Sequence, residues 1–211
     1  MARYRRRGPD TYTRRRPTRE PYDVVLIVCE GTKTEPNYFN RLRTVYRLSS
    51  ANVHITPADG SDPMSIVTYG EDRLGDFDRI YCVFDRDGHQ NYNAALQRIR
   101  NSDAGRNGKL VGIISWPCFE LWVLLHFRYS SAAFVASGGR SPCENVVRQL
   151  KNYIPNYVKG HKTIFDDLAP HLNTGLQHAE RLARENATTE TTNPATRVHE
   201  LVDYLLKLKQ P

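Results

Sequence analysis

Val24 to Phe39 reads VVLIVCEGTKTEPNYF, and this stretch sets the fold class. Its apolar, β-branched start is bounded by Pro21 and Gly31, as a strand buried on both faces requires. The residues after it repeat Tyr38, Leu42 and Val45/Tyr46 at helical spacing, with Pro36 suited to a first turn. The junction holds an acid, Glu30, where a buried strand meets solvent, so something must be present to accept its charge.

Further along the chain the pattern repeats. NVHITP is a short strand, and SDPMSIVTYGEDRL opens on Ser61-Asp62-Pro63, a good helix start. DRIYCVF is a third strand and ends in carboxylates, in VFDRDGH. NYNAALQRIR is a helix, NSDAGRNG a turn-rich link, KLVGIIS a fourth strand, and CFELWVLLHF a short helix apolar on nearly every side. Such alternation predicts an α/β fold with a mostly parallel sheet of about four strands flanked by helices. Beyond Arg140 PCENVVRQL, TGLQHAERLARENA and PATRVHELVDYLLKL all read as helix. We expect an arginine-rich arm over 1–22, a catalytic domain over 23–139, and a helical C-terminal extension over 140–211 packed on the same domain.

Bulk properties narrow the function classes. The 211 residues are 39% apolar with a mean hydropathy of −0.60, enough for one globular core. No apolar run approaches the roughly 20 residues that span a bilayer, so no membrane partner is expected. The arginine-rich start has no apolar h-region, and the expected location is cytoplasmic. Cys29, Cys82, Cys118 and Cys143 stand singly, which argues against a zinc site and a disulfide framework. Cys29 and Cys82 fall within apolar strands and read as core. Met1 to Tyr22 carries eight arginines against Asp10 and Glu20, most of the formal net charge of +7. This stretch reads as a disordered arm, suited either to gripping phosphate backbones or to serving as a solvated tail.

The acids carry the chemistry. Asp85 and Asp87 flank Arg86, so in an extended segment they point the same way, and Gly88 allows a sharp turn. Such a pair suits a hard divalent cation with oxygen ligands, Mg²⁺ or Mn²⁺, and Glu30 completes the set if its strand neighbours the third. A solvated surface turn is the bland alternative. Glu120 is a further candidate, because a carboxylate in an apolar segment is costly unless paired. It could instead cap its own helix or pair with an arginine. Lys33 and Thr34 in the first strand–helix loop could hold a phosphate, and His89 and Ser115 are candidate substrate contacts. His126, in an apolar helix, reads as a core histidine. The segment YIPNYVKGHKTIF, from Tyr153, reads as a packed linker or a platform for single strands.

VCEGTKTEPNYF, VFDRDGH and ISWPCFELWVLLHF resemble the signature stretches of the RloB (AbiLii-like) family, and NPATRVHELV resembles its C-terminal helix. That family is similar to Toprim-fold proteins, and the resemblance implies Glu30 as the Toprim glutamate and Asp85 and Asp87 as the paired aspartates. Glu35 falls in an EGxTE arrangement similar to that of OLD-type nucleases. The implied activity is Mg²⁺-dependent phosphodiester hydrolysis in DNA or RNA, tRNA included, with Glu30, Asp85, Asp87 and Glu120 catalytic and Glu30, Asp85, Asp87 and Glu35 at the metal. Toprim topoisomerases use a tyrosine from another large domain, and hydrolysis by water is expected here instead. The implied setting is anti-phage defence by abortive infection, beside a partner ATPase. A HAD-type phosphatase would leave the Glu30 stretch unexplained, and no Walker motif exists here. The alternative is a Toprim-like module that binds nucleic acid or a partner without cutting, which Arg86 would favour if it folded inward.

Overall fold

The computed structural model describes residues 22–58, 60, 62–86 and 90–208. The arginine-rich arm, Tyr22 apart, lies outside the described residues, as do Asp87 and His89. The first strand, β1 (Val25–Cys29), is buried at every residue. It pairs in parallel with β2 (Val53–Pro57) on one side and β3 (Arg79–Asp85) on the other. Beyond β3 lies β4 (Leu110–Trp116), also parallel, giving the order β2-β1-β3-β4.

A fifth strand, β5 (Ala195–Thr196), adds antiparallel to Ser115 and Trp116 at the edge. The sequence predicts about four strands and continuous helix here. Two residues are too few to show a period of two, and only the partner strand reveals them.

Because chain order reverses between β1 and β3, the crossovers run in opposite directions and place their helices on opposite faces. Helix α1 (Thr34–Val45) packs on one face through Tyr38, Phe39 and Leu42. Helices α2 (Pro63–Glu71), α3 (Tyr92–Asn101) and the short α4 (Asp103–Arg106) pack on the other, through Ile66, Val67, Ala95, Ile99 and Ala104. Asp62 caps α2 by accepting the Met64 and Ser65 N–H groups, with Pro63 at the first helical position. The expected turn over 101–108 contains α4, capped by the Ser102 hydroxyl accepting the Gly105 N–H. Helical spacing places Val45 on the buried face of α1, yet it is 42% exposed, because the stripe runs through Leu42 to Tyr46 instead.

The face that carries α1 also takes α5 (Glu120–Leu125), α6 (Pro142–Leu150), α7 (Ile164–Leu168), α8 (Leu172–Thr189) and α9 (Val198–Lys207), in one continuous core. α5 is its axis: Leu121 to Leu125 are fully buried. His126 follows, its Nδ1 donating to the Trp122 carbonyl at 2.9 Å, a packed core histidine with its proton on Nδ1. Its ring lies against α8 where Gly175 leaves room, and a Cβ there would come within 2.9 Å of it. Burial holds the imidazole pKa down at about 4. A bond between Cys118 and Cys143 ties the start of α5 to α6, a correction to the reading of four unpaired cysteines. The two lie 25 residues apart, and only tertiary packing brings them together. No helix among the described residues is long and apolar enough to cross a membrane.

Candidate metal centre at the strand-order reversal

In open α/β sheets, ligands bind outside the carboxyl ends of the strands where the order reverses. Here that crevice lies between β1 and β3. The Glu30 N–H continues the ladder, donating to the Val83 carbonyl at 3.0 Å, and its Oε2 accepts the Asp85 N–H at 2.7 Å. Glu30 thus closes the β1–β3 pair with its own carboxylate. Asp85 ends β3, and its carboxylate accepts the Phe119 N–H just before α5. Its position in the pleat matches Tyr81 and Val83, which face the larger core, so it points toward α1 and α5.

Those two helices supply two more acids. Glu35, 7% exposed, comes from the first turn of α1, and Glu120, 2% exposed, opens α5. Glu120 Oε1 accepts the Tyr157 hydroxyl at 2.9 Å, and its Oε2 lies 3.7 Å from Lys159 Nζ and 3.6 Å from the bonded Cys143 sulfur.

Like charges in so little water raise one another's pKa. Burial pushes Asp85 well above the carboxylate range, and Glu35, Glu120 and Glu30 add to it in that order. Glu35 is pushed up to about 7, first by burial, then by Glu120 and Glu30, against lowering by its own N–H and by Lys159. Arg86 does not relieve this charge. Its guanidinium stacks 3.8 Å over the Trp116 ring and 5.1 Å from that of Tyr92.

The family model for RloB-like protein matches residues 25–205, from the first residue of β1 into the last helix. The chain belongs to the RloB-like family. No curated protein and no solved structure matches it.

In this RloB-like chain, Glu30, Glu35, Asp85 and Glu120 converge from β1, α1, β3 and α5. Asp87, expected as a metal ligand, and His89, expected as a substrate contact, lie outside the described residues. Lys33 is exposed at the start of α1, its stem against Gly160. Thr34 is buried, its hydroxyl accepting the Gly160 N–H at 2.9 Å. Ser115 is 1% exposed and its hydroxyl bonds that of Thr196 at 3.0 Å, which joins β5 to β4. Glu120 pairs with a tyrosine and a lysine, rather than with an arginine or its own helix end.

Tyr157 and Lys159 are the residues that sequence reasoning passed over as partners of the acids. Their segment is pinned to α1: Thr34 accepts the Gly160 N–H, and Asn37 Nδ2 donates to the Gly160 carbonyl at 2.9 Å. Gly160 turns there with φ of +83°, a left-handed conformation glycine adopts freely. The available signal is Glu120 itself, since a buried acid demands a donor and a cation.

The donor set suits a hard divalent cation, being carboxylate oxygen throughout. Among the described residues, the trio of potential ligands whose donor atoms all approach within 4.8 Å is Cys118, Glu120 and Cys143, but those sulfurs are bonded to each other and offer no thiolate. Among the described residues no three carboxylates bring donor oxygens within 4.8 Å of one another. Mg²⁺ binds oxygen at about 2.1 Å, so at most two of these carboxylates could ligate it directly as placed, and the others would act through its waters.

Gly31 lets the two ends of the arrangement meet. A Cβ there would come within 2.2 Å of Glu35 Oε2. Gly31→Ala is therefore expected to displace the Glu35 carboxylate while leaving the fold intact. Divalent-cation affinity measured by calorimetry should fall about tenfold, and wild-type affinity would show that Glu35 need not sit over residue 31.

Proposed function

We propose that this protein is a Mg²⁺- or Mn²⁺-dependent nuclease that hydrolyses phosphodiester bonds in DNA or RNA. The observation that carries this reading is the convergence of Glu30, Glu35, Asp85 and Glu120 at the β1–β3 crevice, with Glu35 and Asp85 pushed above the carboxylate range. Such a cluster is hard to account for without a cation. The resemblance of the Glu30 and Asp85 stretches to Toprim proteins supports it. So does the direction of Arg86, which is turned onto Trp116 rather than into the acids, where it would have favoured a module without catalysis.

Glu30, Asp85 and Glu35 would hold the cation, directly or through its waters. When bound, it polarises the scissile phosphate and offsets charge developing in the transition state. Glu30 would also orient the attacking water or take its proton. Glu120 is held by Tyr157 and Lys159, and Lys159 places a positive charge beside the phosphate path. We place the protein in anti-phage defence, as an abortive-infection effector restrained or triggered by a partner ATPase, on the family resemblance.

The test is a panel of single- and double-stranded DNA, single-stranded RNA and tRNA, with Mg²⁺, Mn²⁺ or EDTA, beside calorimetric titration of Mn²⁺. Metal-dependent cleavage of at least one substrate is expected. An effector awaiting its ATPase would still bind Mn²⁺, so the absence of both cleavage and Mn²⁺ binding would overturn the proposal.

A further inference from the structure

Beside the carboxylates lies a cleft of 680 Å³. Arg86 and Lys159 supply its cations, Trp116 and Tyr92 its aromatic surface, and Gln90 and Asn93 its side-chain amides. It adjoins the proposed metal centre at both ends. Arg86 directly follows Asp85 in the chain, and Lys159 lies 3.7 Å from Glu120.

We infer that this cleft takes an unpaired nucleotide of a single-stranded segment, which makes single-stranded nucleic acid, or a loop of a folded one, the substrate class. The inference rests on the nuclease reading for its connection to cleavage, but the binding it describes does not. The volume falls in the roughly 300–1,000 Å³ range of sites that enclose one small ligand. Aromatic faces stack on bases only when those bases are out of a duplex, and guanidinium planes serve the same purpose. The Arg86 guanidinium already rests 3.8 Å over the Trp116 ring, so it loses less freedom on meeting a phosphate than an unrestrained side chain would. Lys159 offers a second phosphate contact as a point charge. Gln90 and Asn93 are exposed amides able to donate to and accept from a base edge. A base seated here lies beside the Asp85 end of β3, so a strand can thread from the stacking site into the acids.

The experiment is fluorescence anisotropy of labelled RNA and DNA oligonucleotides, single-stranded and as duplexes of the same sequence, in EDTA so that nothing is cut. Single strands should bind at least about tenfold tighter than duplexes, and the RNA and DNA arms report which sugar is preferred. Arg86→Ala should weaken single-strand binding about tenfold and flatten its salt dependence, as loss of a phosphate contact does. Trp116→Ala should do the same for affinity, whereas Trp116→Phe, which keeps an aromatic face, should restore most of it. Far-ultraviolet dichroism of each variant separates lost binding from lost fold, and Arg86→Ala, a change at a partly exposed residue, covers the case in which Trp116→Ala does not fold. Equal affinity for duplex and single strand, or wild-type affinity in Arg86→Ala and Trp116→Ala, would overturn the inference. Intact single-strand binding without cleavage or Mn²⁺ uptake would overturn the nuclease reading alone.

Discussion

Asp85→Ala is expected to reduce metal-dependent cleavage on the order of 10³-fold or more, because on the nuclease reading proposed above it would remove both a cation ligand and the charge holding the cation against the scissile phosphate. The same change should leave the metal-free protein folded and at least as stable as wild type. Asp85 is held well above its ordinary range by burial and by Glu35, Glu120 and Glu30, so its loss relieves both desolvation and repulsion. The opposed signs make the result diagnostic. A structural aspartate would lose stability and activity together, whereas a metal-site aspartate loses activity and Mn²⁺ affinity while the thermal midpoint holds or rises. Cleavage at the wild-type rate in Asp85→Ala would rule out Asp85 as a ligand.

The second large effect concerns pH. Glu35 has a folded pKa of about 7 against an ordinary 4.5. The folded state therefore binds more protons than the unfolded state between those values, and stability falls as pH rises through them. The loss from Glu35 alone is about 3 kcal/mol, complete above about pH 7. His126 works in the opposite sense: its folded pKa of about 4 lies below 6.5, so its contribution is present above pH 6.5 and lost as pH falls through 4. The two slopes overlap and largely cancel in wild type. Comparison with Glu35→Gln removes that difficulty, since both proteins share His126. In EDTA the variant should match wild type near pH 4.5 and exceed it by about 3 kcal/mol at about pH 8, read from urea denaturation. On the proposed metal-site reading, saturating Mg²⁺ should shrink or reverse the difference, because the ionised wild-type cluster would bind the cation while the amide of the Glu35→Gln variant adds no charge to it. Parallel stability curves in EDTA across that range would mean that Glu35 is not held in a charged, water-poor cluster.

Local pattern made much of this readable. A five-residue buried run ending in Glu30, a second run ending in Asp85, and helical spacing between them predict a parallel α/β sheet with acids at its carboxyl edge, because strand burial and helix periodicity are properties of short windows. Local pattern also raised Glu120, since an acid inside an apolar stretch is conspicuous without any contact map, whereas Glu35 was raised by the resemblance of its EGxTE arrangement to OLD-type nucleases. It said nothing about which strands adjoin. That β1 and β3 are neighbours, so that Glu30 can accept the Asp85 N–H, follows from crossovers in opposite directions, a property of the whole sheet. Ser115 shows the same limit: it pairs with Asp85 near the end of β4, yet it is claimed by Thr196, from a two-residue strand 81 positions later. Tyr157, Lys159 and Cys143 reach Glu120 from 37, 39 and 23 residues away, and no local window links them. Residue order alone is enough to say which residue types end the strands and which segments bury themselves. Which acids share one pocket, and which side chains pair with them, is set by the packed fold, because charges interact through space and packing fixes the distances between segments remote in the chain.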